Sequence, residues 1–480
     1  MRVGLKSASE QAAIVARYAD LFSTEQLEAL RRAESRETDG DARERLYRLR
    51  ATCESGVVAA RLAPLHDALQ NAELAARIEL DGEEIPLRTA SARLSVLGSY
   101  GERERLGSRV WDASAELDPR RRELQAAREE LRAELSGEAD PIRRNENEKG
   151  ISLHRLSEVV RDAADATSES YSDLRGRWLD RVLGAERPAV PSSYHALYVY
   201  RLAALADVYA KDRATGICVS TLRELGFDLA RSGVSTDLED RPQKTPRPAV
   251  IASDPPGIVH LITRPQGGLQ DYVSLLHEAG HALHFAGCDP ALPYAFRKLS
   301  RDNALTEVYS YTVQAITREP GWHALHFGLS PDHAAENAEA ARFLDAFVFR
   351  RNAAKLRFEL AYWARFADRG GTADGYAEEL TEATGFAYRA DRHLADMDAD
   401  FYCADYLRAA IRSAQLRSFL RARVGEEWWR SPRTGELLRN LFLRGTRPSN
   451  EDLATDLGFD ALDTRPLVEE LSASRPAPVP

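Results

Sequence analysis

Apolar residues recur at spacings of three and four positions along most of this chain, among many Arg and Glu residues. This spacing places apolar side chains on one face of a helix, and it constrains the fold more than any other feature. It predicts amphipathic helices over residues 8–35, 41–70, 115–136, 152–183 and 193–213. The last of these segments is rich in Tyr, Leu and Ala and is predicted to be buried. The sequence therefore predicts a mainly α protein.

Two short segments interrupt the helical pattern. RIELDGEEIPLR, residues 77–88, alternates around an Asp-Gly pair and predicts a small hairpin. PAVIASDPPGIVHLITRP, residues 248–265, has two β-rich runs around a Pro-Gly turn and predicts a second hairpin. A helix is predicted directly after it, over residues 269–285. Residues 232–247 are polar and contain proline, so they are interpreted as a loop.

The chain of 480 residues contains no internal repeat that we can detect. We predict a helical N-terminal region over residues 1–150 and a second helical region, with the motif described below, over residues 151–471. Residues 472–480, SASRPAPVP, are predicted to form a disordered tail because they offer little apolar surface to bury.

Composition excludes some classes of partner. The net charge of -10 makes nonspecific binding to nucleic acid or to an anionic membrane unfavourable. No stretch approaches the roughly 18 to 20 apolar residues of a membrane span, and the N-terminus lacks the apolar core of a secretory signal. The four cysteines are scattered without a CxxC pair, which favours a reducing compartment. We therefore expect a cytoplasmic protein with neither nucleic-acid nor membrane partners.

The segment SLLHEAGHALHF contains the pattern of a metal site. His277 and His281 lie four residues apart, so on a helix both imidazoles share one face and can take adjacent positions around zinc. Glu278 follows the first histidine and can take a proton from a zinc-activated water as general base. His284 lies near the same face, but catalytic zinc keeps three protein ligands, so a supporting or packing role is favoured for it.

A catalytic zinc ion needs a third protein ligand and one open position. Gly287 stands where another class of zinc enzymes has a third histidine, six residues after His281. Asp289 follows the helix too closely to fold back to the ion. Asp302 is interpreted as a helix cap and is kept as the reserve ligand. Glu307 has apolar and tyrosine neighbours, so its charge needs compensation, and we predict it as the third ligand.

HEAGHALH, followed by a Glu that begins the sequence EVYS, resembles the thimet oligopeptidase and oligoendopeptidase family of zinc metallopeptidases. That family has the motif HExGHxxH and a third-ligand Glu in an ExxS pattern one helix later, which corresponds here to Glu307 and Ser310. The resemblance implies a helical, two-lobed body with a deep central channel and a small β hairpin or sheet beside the zinc helix. Such a channel admits short peptides and excludes folded proteins.

The resemblance also implies oxyanion donors near the C-terminus, where the family has a histidine and tyrosines. The matching residues are His393, Tyr402 and Tyr406 in HLADMDADFYCADYLRA. Donors directed at developing negative charge are what peptide hydrolysis needs beside the metal. The family's stretch is rich in glycine, whereas this one contains four aspartates, Asp396, Asp398, Asp400 and Asp405.

The sequence thus predicts a zinc-dependent oligopeptidase that hydrolyses short peptides. One zinc ion is held by His277, His281 and Glu307, and Glu278 is the general base. Two alternatives remain at this point. One is a zinc-dependent amide hydrolase acting on a non-peptide or dedicated substrate, which the aspartates suggest. The other is a catalytically inactive helical scaffold of the same fold, although such a scaffold has no need of the Glu278 carboxylate.

Overall fold

A computed structural model of the chain describes residues 3, 8–184, 187–239, 241, 244 and 248–473. Helices dominate it, so the prediction of a mainly α protein is confirmed. The N-terminal helices are α1 (Gln11–Ala16), α2 (Thr24–Arg36), α3 (Gly40–Ala75), α4 (Leu87–Leu94), α5 (Tyr100–Ala115), α6 (Asp118–Ser136) and α7 (Pro141–Lys149).

The helices that follow surround the candidate site. They are α8 (Leu153–Ala166), α9 (Ser168–Leu183), α10 (Ala196–Arg201), α11 (Ala214–Glu224), α12 (Leu269–Ala286), α13 (Tyr294–Arg297), α14 (Ala304–Gln314) and α15 (Pro320–Phe327). The C-terminal set is α16 (Pro331–Ala364), α17 (Phe366–Arg369), α18 (Tyr376–Thr384), α19 (His393–Asp396), α20 (Tyr402–Val424), α21 (Pro432–Phe442), α22 (Asn450–Leu457) and α23 (Arg465–Ser472).

Both predicted hairpins are confirmed. Strands β1 (Arg77–Leu80) and β2 (Glu83–Pro86) pair antiparallel, as do β4 (Ala249–Asp254) and β5 (Ile258–Ile262). A further strand, β3 (Val234–Asp237), pairs parallel with β5, so the sheet order is β3-β5-β4. The loop interpretation of residues 232–247 is therefore wrong for β3. This strand is short and its side chains are at most half-buried, so it has no apolar alternation to predict it.

The single buried helix predicted for residues 193–213 is also wrong. Only α10 is α-helical there, and it ends where Leu202 adopts a left-handed conformation with φ 50°. The backbone changes direction at Leu202 and there lies against Gly268, the residue just before α12. A Cβ at Gly268 would lie 2.6 Å from the carbonyl oxygen of Arg201, so only glycine permits this contact. A tertiary contact has overridden the local helical pattern.

Two other predicted helices are divided. The segment 152–183 forms α8 and α9 with a break at Thr167, and the segment 8–35 forms α1 and α2. Ser23 begins α2 by accepting a hydrogen bond from the amide of Gln26. The predicted tail starts within the last turn of α23, and its residues 474–480 lie outside the described part of the chain.

Three clusters of buried apolar side chains make up the interior. The largest extends along the sequence from Ile142 to Leu471 and includes α12, α14, α16 and α20. Two smaller clusters are formed mainly by the first 150 residues. One lies around β1, β2, α4 and α5 and includes Tyr194, and the other lies between α2, α3 and α6. The predicted division at residues 150 and 151 stays a prediction. Within the described residues, no helix is long and apolar enough to cross a bilayer.

Candidate metal centre

Helices α12 and α14 pack closely because α12 has a glycine at their contact. A Cβ at Gly280 would lie 2.5 Å from Ser310 Cα and 2.9 Å from the carbonyl oxygen of Tyr309, closer than real atoms approach. Glycine therefore allows the two backbones to approach where any side chain would separate them. The close packing brings Glu307, on the first turn of α14, to the histidine-bearing face of α12.

The three predicted metal ligands meet at this contact. Glu307 Oε2 lies 3.4 Å from His277 Nε2 and 3.6 Å from His281 Nε2. One potential ligand atom from each residue lies within 4.8 Å of the other two. Two ligands about 2.1 Å from one tetrahedral ion are separated by about 3.4 Å, so these spacings and this donor set fit zinc. Among the described residues, no other group of three such side chains is arranged to hold a metal.

Gln314 fixes the orientation of the first imidazole. His277 Nδ1 donates to Gln314 Oε1 at 2.7 Å, and Gln314 Nε2 donates to Asp345 Oδ1 at 3.3 Å. With Nδ1 donating to Gln314, Nε2 is the nitrogen that faces Glu307 and the one that can bind a metal ion. Our sequence analysis did not identify Gln314. It lies seven residues after Glu307, two turns along the same helix face, and this spacing was a signal that could have found it.

The Glu307 carboxylate has a second contact. Its Oε1 accepts a hydrogen bond from the hydroxyl of Tyr402 at 2.8 Å. Burial raises the pKa of Tyr402, and the neighbouring Glu307 carboxylate raises it further, so the hydroxyl keeps its proton and donates. Tyr402 therefore contacts a candidate ligand, whereas the resemblance implies a contact with the oxyanion.

The electrostatic balance of the cluster favours a carboxylate and a cation together. Burial raises the pKa of Glu307, but His281 and His277 outweigh burial and hold that pKa well below its usual range. Burial lowers the pKa of His277, but the hydrogen bond and charge of Glu307 outweigh it and raise that pKa. The Glu307 carboxylate therefore keeps its negative charge, and this charge stabilises a cation at the position between the two imidazoles.

The cluster lies beside a cavity of about 970 Å³. His277 and Glu278 line this cavity from α12, and Glu278 is half-buried. Further wall residues come from, among others, α4, α5, α10, α14, α16, α20 and α23, so both the N-terminal and the C-terminal parts of the chain contribute. A volume of this size is typical of a ligand-binding site, and this one has the His277 and Glu278 side chains in its wall.

The structure places the remaining predicted site residues differently. Tyr406 lines the cavity, and its ring meets that of Tyr402 edge-on with centroids 4.6 Å apart. His393 is buried, donates through Nδ1 to the carbonyl of Ala390 at 2.9 Å, and packs among aromatic rings. Those rings belong to Phe358, Tyr362 and Tyr376. The structure thus brings the two tyrosines together at the site and surrounds His393 with a separate aromatic group.

The residues that we set aside have other partners. Asp302 accepts from the amide of Ala304 at the start of α14, as a cap does. Asp289 accepts from the amide of Ala291 after α12. His284 contacts the carbonyl of Gly445 through Nε2 at 3.0 Å, and burial lowers its pKa to about 4. It packs as a neutral ring inside the core.

Each aspartate of the C-terminal segment is paired with a cation. Asp396 pairs with Arg351, Asp398 with Lys355, Asp400 with Arg128 and Arg132, and Asp405 with Lys149. These cations come from α6, α7 and α16, so the acidic segment ties distant helices together. The aspartates therefore explain how the segment is held in place.

The structure was compared with known proteins. It matches a protein described as an oligoendopeptidase F from Bacillus anthracis str. Ames, with a TM-score of 0.59 and 16% identity, over 96% of this chain and 81% of that chain. It matches Pz peptidase A, in a complex with an inhibitor, with a TM-score of 0.59 and 13% identity, over 96% and 83%. This chain has the oligoendopeptidase fold.

A third solved structure has a similar fold. Metallocarboxypeptidase 1 of Trypanosoma cruzi aligns with a TM-score of 0.55 and 15% identity, over 94% of this chain and 88% of that chain. The sequence itself matches no protein-family model and no curated protein. The resemblance inferred from HEAGHALH and EVYS thus agrees with the fold, which these alignments follow along nearly the whole chain.

Proposed function

We propose that this protein is a zinc-dependent metallopeptidase that hydrolyses short peptides. The observation that carries the proposal is the convergence of His277, His281 and Glu307 beside Glu278, at the wall of a large cavity. Two imidazoles and one carboxylate are the ligand set of many catalytic zinc sites. When bound there, zinc would polarise the scissile carbonyl and acidify the attacking water.

The side chains of the chain perform the remaining steps. Glu278 accepts the proton of the attacking water and then delivers it to the leaving amine. Tyr406, in the cavity wall, is the candidate hydrogen-bond donor to the oxygen that gains negative charge. Tyr402 holds the second oxygen of Glu307 and keeps that carboxylate oriented.

A strand edge close to the cavity supports a peptide substrate. Strand β4 is the edge of its sheet, and Pro248, which precedes β4, lines the cavity. An unpaired strand edge can hold an extended peptide by main-chain hydrogen bonds. The internal pairing of the four C-terminal aspartates removes the observation that suggested a dedicated substrate. We retain the cytoplasm as the proposed location, since the four cysteines are free thiols, each buried.

A peptide digest tests the proposal. Wild-type protein loaded with zinc is incubated with a mixture of peptides of 5 to 15 residues, and products are identified by mass spectrometry. The Glu278→Gln variant should bind one zinc equivalent and lose about 1,000-fold or more in kcat, because the general base is gone. The same substitution at the exposed Glu382 of α18 should keep full activity.

Two results would reject the proposal. One is an absence of cleavage by zinc-loaded wild-type protein in every peptide tested. The other is undiminished turnover by Glu278→Gln, which would exclude this carboxylate as the base. Metal analysis of each sample shows whether a loss of activity comes from lost zinc.

A further inference from the structure

Most arginines in the cavity wall are neutralised by carboxylates. Five of them form ion pairs or charged hydrogen bonds within 4.0 Å. Arg121 pairs with Glu73 and Asp118, Arg201 with Asp271, Arg318 with Asp345 and Glu470, Arg351 with Asp396, and Arg417 with Glu470. These side chains hold the cavity wall together and have little charge left for a ligand.

Arg392 is different from these five. It lines the same cavity at the end of a short 3-10 turn, Ala390–Arg392, and is half-buried. Within the described part of the chain, it has no ion pair with a carboxylate, and its buried Nη1 has no hydrogen-bond partner. Burial lowers the pKa of Arg392, and so does the neighbouring cation Arg121, while Tyr376, Asp396 and Asp118 raise it without forming an ion pair with it. A buried donor without an acceptor is costly, so an acceptor from a ligand would stabilise it.

The surroundings of Arg392 strengthen its attraction for an anion. Its guanidinium lies over the ring of Trp111, 5.6 Å from the centroid. Trp111, Val110, Leu117 and Tyr194 belong to one apolar cluster and line this part of the cavity. A wall of this kind lowers the local dielectric constant, which increases the interaction between opposite charges.

The acids of the cavity wall differ in the same way. Glu73, Asp345 and Asp396 are paired with arginines, whereas Glu278 lines the cavity beside His277 without an ion pair among the described residues. The carboxylate of a ligand is repelled by Glu278 and attracted by Arg392, and both residues line the one cavity that also borders the metal centre. Arg392 is thus suited to orient an extended peptide by one charged group.

We propose that Arg392 is a carboxylate-binding residue of the cavity, supported by the Trp111 ring, and that it makes the enzyme prefer peptides with a negative charge. The inference rests on the proposed peptidase function. A guanidinium can donate two parallel hydrogen bonds to a carboxylate, which gives orientation as well as affinity. The carboxylate can be the C-terminus of the peptide or an acidic side chain, since both present the same chemical group.

Matched peptides distinguish the two sources. One peptide that wild-type protein cleaves is prepared with a free C-terminus, with a C-terminal amide, and with each Asp or Glu replaced by Asn or Gln. We expect kcat/KM to fall about tenfold or more for one of these neutralised forms and not for the other. In Arg392→Gln, the ratio of kcat/KM for the charged peptide to kcat/KM for its neutralised form should approach one. Arg392→Lys should keep part of the preference because it keeps the charge.

Arg88 provides a matched control. It lines the same cavity from α4 and has the same charge, but its side chain is exposed. Arg88→Gln should keep the wild-type preference. If Arg88→Gln loses as much of the preference for the charged peptide as Arg392→Gln does, the preference comes from the overall positive charge of the cavity wall. That result would overturn the proposal. A wild-type protein that cleaves all forms equally would overturn it as well.

A binding measurement separates this inference from the proposed function. Fluorescently labelled charged and neutralised peptides are titrated into the Glu278→Gln protein, which keeps Arg392 in place. Tighter binding of the charged peptide, lost when Arg392→Gln is added, would support the subsite even if no preparation cleaves peptides. Equal binding of both peptides, together with cleavage by wild type, would reject the subsite and leave the peptidase function standing.

Discussion

Gln314 determines which nitrogen of His277 faces Glu307. Its Oε1 accepts from His277 Nδ1, and its amide is held in turn by Asp345. Partners of this kind commonly contribute about 10- to 100-fold to metal affinity, because they fix the tautomer and the ring orientation of the ligand. The side chain therefore belongs to the metal centre although it offers no ligand atom to the ion.

We expect Gln314→Met to weaken zinc binding by about 10-fold or more, since the acceptor for Nδ1 is lost. Gln314→Glu keeps an acceptor for Nδ1 but sets a second carboxylate against Asp345, so it should retain only part of the affinity. Zinc dissociation constants are measured by competition with a chromophoric chelator. Unchanged affinity in Gln314→Met would show that the hydrogen bond does not orient His277.

The two tyrosines should produce different losses. Tyr402→Phe removes the donor to Glu307 Oε1 and leaves a buried carboxylate oxygen without that bond. A hydrogen bond to a charged group contributes about 1.5–3 kcal/mol, so zinc affinity should fall about tenfold or more. Tyr406→Phe should keep zinc affinity and lower kcat, because its hydroxyl is the candidate donor to the substrate.

Zinc titration and steady-state kinetics on both variants check this division of roles. A Tyr402→Phe variant with normal zinc affinity and a reduced kcat would contradict it. In that case the hydroxyl acts on the substrate, as the family resemblance implies, and its contact with Glu307 is replaced when substrate binds.

At the scale of elements, the contact between α12 and α14 depends on Gly280. Any side chain there would meet the backbone of Ser310 and Tyr309. We expect Gly280→Ala to lower the free energy of unfolding by about 1–3 kcal/mol through overpacking. It should also weaken zinc binding, because Glu307 moves away from the histidines.

Gly176 supplies the control for helix propensity. It lies within α9, and a Cβ there would have no heavy atom within 4 Å. Gly176→Ala should leave zinc binding unchanged and raise the free energy of unfolding by up to about 1 kcal/mol. Urea unfolding of both variants measures the difference. Equal stability of Gly280→Ala and wild type would show that the helices separate without cost.

The elements predicted from sequence are those whose pattern is local. Helix α12 was predicted because its apolar spacing and its histidines repeat within one segment, and both hairpins because their turn residues are specific. The break at Leu202 depends on Gly268, which is far along the chain, and strand β3 forms because β5 is beside it. Neither cause is visible in the segment itself.

The same limit applies to the site. The spacing of His277 and His281 requires only helix geometry, and the choice of Glu307 required only its apolar neighbours. The partners of the C-terminal aspartates lie on α6, α7 and α16, which local sequence cannot place beside them. The acidic segment was therefore interpreted as a hint about substrate, although its charges serve internal pairing.

Across the whole molecule, buried polar contacts connect the first 150 residues to the metal centre. Lys149, the last residue of α7, donates to Asp405 Oδ1 on α20 at 2.7 Å. The other oxygen of Asp405 accepts from the amide of Asn303, the residue before α14, at 3.1 Å. Burial raises the pKa of Asp405 to about 6, with a further rise from Asp302, while Lys149 and Arg408 oppose it. One carboxylate thus joins three helices, including the helix that carries Glu307.

Removing the cation from this buried pair should destabilise the whole protein. Lys149→Met leaves Asp405 buried beside Asp302, with Arg408 as its remaining cation, 3.6 Å away and already paired with Asp302 and Glu451. Loss of one partner of a buried ion pair costs up to about 3–5 kcal/mol. Adding Asp405→Asn should recover part of the loss, because no unpaired charge then remains and the amide oxygen still accepts from Asn303. Urea unfolding at pH 7 measures both variants, with the exposed Lys211→Met expected within about 0.5 kcal/mol of wild type. If the double variant is no more stable than Lys149→Met, α7 is connected to the metal centre by packing of the aliphatic part of Lys149. The charge pair would then not be the connection.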